Sequence, residues 1–72
     1  MPSILELKKK YTQKIDALDL DLLISAAIQK PREFVLAHPE FSINKKREAM
    51  INKFIQRRLK SEPIAYILGE KE

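Results

Sequence analysis

The chain predicts an all-α fold, a small bundle of four main helices plus a short C-terminal fifth helix. Three observations carry that expectation. Apolar residues recur at helical spacing, with Ile4, Leu7, Tyr11, Ile15 and Leu18 at i, i+3, i+7, i+11 and i+14. Glycine occurs once in 72 residues, and Leu, Ile, Ala, Lys and Glu are abundant, which favours helix over strand. No pair of alternating apolar runs is joined by Asn-Gly or Asp-Gly, so nothing predicts a hairpin.

Ser3-Ile4-Leu5-Glu6 is a capping-box pattern in which Ser3 caps and Glu6 reaches back. It opens the first helix, whose inner stripe is the series above, through Leu18. Lys8-Lys9-Lys10 lies mostly away from that stripe and reads as a solvated face. From Asp16 to Leu22 acids alternate with apolar residues in a strand-like way. The continuation Leu23-Ile24-Ser25-Ala26-Ala27-Ile28 is too long and too alanine-rich for a strand. Asp19 or Asp21 is placed to cap or charge the first turn of this second helix. Leu22, Leu23, Ile24, Ala26, Ala27 and Ile28 cover nearly all its sides, so it is expected to be central and buried.

Pro31 suits the first turn of a third, short helix carrying Phe34, Val35 and Leu36. Lys30 is a poor cap, so this element is expected to be the weakest. Pro39 forces His38 out of helical space and ends it. Asn44 caps a fourth helix over residues 45–60, with Ile43 before it placed as a staple. Its inner face is Met50, Ile51, Phe54, Ile55 and Leu59. Pro63 is preset for the first position of a new helix, and Gly69 for the left-handed position just past one. They bracket about one and a half turns, Pro63 to Leu68.

At this length a single domain with a stability of roughly 4–10 kcal/mol is expected. The chain has no cysteine, so neither a disulfide nor a thiolate metal site supports it. Its N-terminus lacks the basic-then-apolar order of a signal peptide, and no apolar stretch approaches the ~20 residues of a membrane span. A monomeric cytoplasmic domain without membrane contact is the expectation.

Catalysis finds little footing. His38 is the only histidine, and no serine or cysteine pairs with it in a recognisable spacing, so a structural or exposed role is expected. Asp16, Asp19 and Asp21 lack the glycine turn and closing glutamate of a calcium loop. No glycine-rich phosphate loop or cofactor fingerprint is present, so neither metal nor cofactor is expected in this chain.

Residues 45–60 hold seven Lys or Arg and one Glu, net +6, against +4 for the whole chain. Lys46, Lys53, Arg57 and Lys60 form a narrow stripe opposite the inner face. Such a stripe attracts phosphates, an acidic protein surface or RNA. On the residues alone a solvated outer face is preferred, because stripes of this size are common and no aromatic residues interleave with the bases. Arg58 projects into the apolar sector, where it must snorkel, pair or meet a partner. Glu62, one turn on, is the favoured pair. Tyr66 is expected to pack. The candidate partner-binding residues are therefore Lys46, Lys53, Arg57, Arg58 and Lys60, and Glu62, Pro63, Tyr66 and Gly69 form a structural corner.

The final segment, Arg57-Arg58 followed by Glu62-Pro63-Ile64-Ala65-Tyr66-Ile67-Leu68-Gly69-Glu70-Lys71-Glu72, resembles the end of the N-terminal domain of the HemK/PrmC family. These are the bacterial release-factor glutamine methyltransferases. Asp19-Leu20-Asp21-Leu22-Leu23, residues 32–40 and residues 43–60 resemble the family's second, third and fourth helices, in the right order and spacing. Two departures stand out. The residue before Glu-Pro is often glycine in the family and is Ser61 here. The family also continues past this point with a phenylalanine and a linker into a methyltransferase domain. Its S-adenosylmethionine loop and Asn-Pro-Pro-Tyr motif do not occur in these 72 residues.

The resemblance implies a substrate-recognition domain, residues 1–72, of a longer enzyme. That enzyme would transfer a methyl group from S-adenosylmethionine to the glutamine of the Gly-Gly-Gln loop of class I release factors. Two alternatives stay open: a stand-alone basic helical module that binds RNA or the ribosome, and a purely structural bundle.

Overall fold

In a computed structural model that describes residues 1–69, five helices follow one another: α1 (Ile4–Tyr11), α2 (Ala17–Ile28), α3 (Arg32–Ala37), α4 (Lys45–Leu59) and α5 (Ile64–Gly69). No strand is present among the described residues. An isolated antiparallel bridge joins Ser3 to Ser42.

The capping box forms as expected. Ser3 Oγ accepts from the Glu6 N–H at 3.2 Å, and Glu6 accepts from the Ser3 N–H at 2.9 Å. Three backbone bonds then fasten this end to the loop before α4: Ile4 N–H to Phe41 O (3.0 Å), Leu5 N–H to Pro39 O (3.0 Å) and Ile43 N–H to Pro2 O (2.7 Å). The first two satisfy donors that the start of α1 would otherwise leave open, and the third ties the loop back to Pro2.

α1 is shorter than its apolar stripe predicts. It stops at Tyr11 because Asp16, not Asp19 or Asp21, is the N-cap of α2, accepting from the Leu18 N–H at 3.3 Å. Ile15 still reaches the core from the connecting turn, at 5% exposure. Leu18 instead falls on the outer side of α2 and is exposed. Asp19 sits in the first turn of α2, where its charge suits the helix dipole.

α2 is central, as expected. It touches each of the other four helices, and Leu20, Leu23, Ile24, Ala27 and Ile28 are buried in it. Burying each large side chain contributes about 2 kcal/mol, a large fraction of what a domain of this size retains. Asp21 is buried too, at 3% exposure. Lys8 Nζ stands 2.9 Å from its Oδ1, so this lysine is an internal counter-ion and not part of a solvated face. Asp21 Oδ1 thus has a charge partner but no hydrogen-bond donor among the described residues.

Pro31, not Lys30, occupies the N-cap of α3, one residue before the first turn, and makes no side-chain cap bond. Val35 is buried, whereas Leu36 is exposed. His38 leaves helical space (φ −128°, ψ 67°) before Pro39. Asn44 caps α4, accepting from the Arg47 N–H at 2.8 Å. Ile43 is fully buried, but the residue it would staple is Glu48, so burial and the bond to Pro2 fix it instead. Ile51, Phe54 and Ile55 form the inner face of α4 with half-buried Met50; Leu59 is exposed. Tyr11 donates its hydroxyl to Asn52 Oδ1 at 3.0 Å, tying α1 to α4.

Replacing Lys8 by Met should leave Asp21 buried without a counter-ion and cost about 2–3 kcal/mol. Urea unfolding measures this, and a loss below about 0.5 kcal/mol would show that the pair carries no stability.

Candidate partner face and the α4–α5 corner

α2 and α4 run antiparallel, and two arginines of α4 clasp the ends of α2. Arg47 Nη1 donates to the Ala27 carbonyl. Arg58 Nε donates to Asp19 Oδ2 at 3.1 Å. The two arginines are eleven residues apart, close to three turns, so they lie at either end of the stripe that buries Ile51 and Phe54. That shared face was readable from spacing. What spacing does not show is which acceptor on another helix comes within reach.

The arginine pair at the end of α4 is wired differently from the sequence expectation. Glu62 pairs with Arg57, whose Nε and Nη2 lie 2.9 and 2.8 Å from Oε1. Arg58 takes Asp19 as its carboxylate and reaches only the backbone carbonyl of Glu62, at 3.2 Å. The reason is the turn between them. Lys60 ends α4, Ser61 adopts a left-handed φ of 72°, and the chain reverses. The Glu62 N–H donates to Arg57 O at 3.3 Å and the Ser61 N–H to Arg58 O at 2.9 Å. This is a Schellman cap with serine in the position that favours glycine. Gln29 (φ 60°) ends α2 in the same way, the Lys30 N–H donating to Ser25 O at 3.1 Å.

Gly69, expected in the left-handed position, is instead the last helical residue of α5 and has no positive φ. Pro63 stands just before α5, and its carbonyl accepts from the Tyr66 and Ile67 N–H groups at 3.1 Å each. Ile67 is fully buried, whereas Tyr66 is 61% exposed, so the tyrosine does not pack as expected.

The structure thus separates the candidate residues. Arg57 and Arg58 are half-buried and engaged within the domain. Lys46, Lys53 and Lys60 are exposed and form no ion pair among the described residues. They share one continuous exposed stripe with Ala49 and Gln56, at i, i+3, i+7, i+10 and i+14. Successive lysines are about 10 Å apart along the axis.

Beside the corner a groove of about 210 Å³ is lined by Lys14, Ile15, Asp16, Asp19, Arg58 and Leu59. That is below the roughly 300–1,000 Å³ of small-molecule sites, and no run of glycine amides faces it. These residues do not fit S-adenosylmethionine. His38 stacks on Phe34 at 4.5 Å and places Nδ1 3.2 Å from Glu40 Oε2. A backbone N–H and then the His38 ring hold the Glu40 carboxyl below its ordinary value. This is the bonding of a turn, with no nucleophile attached.

With this geometry in view, the family model described as the PrmC N-terminal domain matches residues 4–69, from the first residue of α1 to the last of α5. The chain belongs to this family. It is 38% identical over 78 residues to a release factor glutamine methyltransferase of Coxiella burnetii, covering 100% of the chain and 28% of that protein. To the Haemophilus influenzae release factor glutamine methyltransferase it is 40% identical over 70 residues, covering 97% of the chain and 24% of the relative. A bifunctional methyltransferase of Rickettsia bellii is 49% identical over 55 residues, 76% of the chain and 10% of the relative. The chain therefore spans about a quarter or less of the length of these relatives. No solved structure matches it significantly. Among the described residues no helix is long and apolar enough to cross a membrane.

Two predictions follow from the corner. Ser61→Gly removes a strained left-handed serine and should raise stability by about 0.5–1 kcal/mol, read from the urea midpoint. In a double-mutant cycle, Arg58→Ala and Asp19→Ala should show a coupling of about 0.5–1 kcal/mol, while Lys53→Ala with Asp19→Ala shows none.

Proposed function

We propose that this chain is the release-factor-recognition domain of a glutamine methyltransferase and that it presents the release factor through the exposed lysine stripe of α4. The observation that carries this is the sorting of cations. Lys8, Arg47, Arg57 and Arg58 are engaged inside the domain, whereas Lys46, Lys53 and Lys60 are aligned on one open face. A row of unpaired ammonium groups attracts a carboxylate-bearing surface, speeding encounter and fixing register. The names of the relatives support a release factor as partner, and the family resemblance supports the glutamine of a Gly-Gly-Gln loop as the substrate residue. On this reading the methyl donor, S-adenosylmethionine, binds outside these 72 residues, as does the catalytic machinery.

An acidic protein surface suits the face better than RNA does. The stripe carries lysines, alanine and glutamine, with no aromatic side chain on which a base could stack.

The test is charge reversal in the methyltransferase that carries this domain, with Lys46→Glu, Lys53→Glu and Lys60→Glu combined. KM for the release factor should rise roughly tenfold or more at low salt, with kcat and the unfolding midpoint little changed. Unchanged KM would remove the reading and leave a structural bundle. A loss of RNA affinity without a change in KM would transfer the stripe to nucleic acid.

A further inference from the structure

We infer that the outer face of α5, centred on Tyr66, is the surface on which this domain docks the methyltransferase body carried by its longer relatives. The inference rests on the reading above, that the domain serves such an enzyme.

α5 is Ile64-Ala65-Tyr66-Ile67-Leu68-Gly69, without a charged residue. Its inner side is accounted for: Ile67 is fully buried, Ile64 and Leu68 pack against the core, and the helix touches α2 and α4. The outer side is not. Ala65, Tyr66 and Gly69 are exposed, Tyr66 by 61%, and its hydroxyl makes no hydrogen bond among the described residues. One third of this chain is charged, and the open face of α4 carries Lys46, Lys53 and Lys60. An uncharged exposed face built around a tyrosine has the composition of an interface centre, where charge is depleted and aromatic residues are enriched. Gly69 points the same way. Among the described residues nothing lies within 4 Å of the place a Cβ would occupy, so none of their contacts requires glycine there.

Size selects the occupant. A helix of six residues is about 9 Å long and offers far less than the ~800 Å² per partner of a stable free association. A second copy is therefore a poor fit. A body joined to the domain by the same chain needs much less contact, because tethering sets an effective concentration of about millimolar. The chain covers only 28% and 24% of the length of two full relatives, so most of such a protein lies outside the matched region. Docking on α5 would also leave the α4 stripe free to face the release factor.

The experiment is calorimetry on the continuous protein, this domain joined to its methyltransferase body, with and without Tyr66→Ser. The joined domain should unfold at a higher temperature than the 72-residue chain alone. Tyr66→Ser should bring it back to the temperature of the chain alone. In the chain alone the same substitution should move the midpoint by less than about 2 °C, since the side chain is exposed. Equal unfolding temperatures for the joined and separate wild-type domain would overturn the inference, as would coupling that survives Tyr66→Ser. So would a Tyr66→Ser effect confined to KM for the release factor, which would give the face to that partner. A dimer of the 72-residue chain that Tyr66→Ser dissociates would give it to a second copy. Charge reversal on α4 should leave the thermal coupling intact, so failure of the recognition reading and failure of this one are told apart.

Discussion

The packing of α2 against α4 is the constraint on which the rest of the domain depends. α2 is the helix that the other four all touch, and its buried residues include both large aliphatics and a carboxylate. A helix surrounded in this way has its position set by whatever fixes its two ends. Arg47 and Arg58 do that from α4, one on the terminal carbonyl at Ala27 and one on Asp19. Each bond is worth little alone, about 1 kcal/mol or somewhat more for a charged donor. Their value lies in register, because a one-turn slide of α2 would break both at once.

The same clasp accounts for how charge is distributed over the surface. α4 carries a net positive charge far above that of the rest of the chain, and such a concentration is costly unless it is partly neutralised. Arginine, with its planar fork, takes the internal contacts at Ala27, Asp19 and Glu62. Lysine, a compact and strongly hydrated charge, stays on the open face. Internal contacts and exposed charge are thereby drawn from different residues on one helix.

At the corner, a left-handed residue after α4 sets the direction of everything that follows. Ser61 adopts this conformation because the two cap bonds and the Arg57–Glu62 pair hold it there. The turn carries α5 back onto α2 and α4, burying Ile67 and presenting Tyr66 outward. A helix too short to be stable alone is held by Ile67, by Ile64 and Leu68 packed beside it, and by one corner.

Local signals in the sequence determined the fold class, the five helices and most of their starts. The capping box at Ser3, the Asn44 cap, the break at Pro39 and the apolar surround of α2 each depend on residues within one turn of each other. The end of α1 was misread because Ile15 and Leu18 continue its apolar period, and period alone does not reveal that Asp16 caps a new helix. The corner was misplaced for a similar reason: a lone glycine is a strong local cue for left-handed backbone, whereas serine takes that conformation only when bonds elsewhere hold it. The candidate face was legible as a basic stripe, but not which of its cations were free. Charge partners such as Lys8 with Asp21 and Arg58 with Asp19 lie 13 and 39 residues apart in the chain. Sequence periodicity determined which side of each helix faces inward. Only the tertiary structure decided which charges meet, because an ion pair depends on distances of about 3 Å between helices that no local pattern encodes.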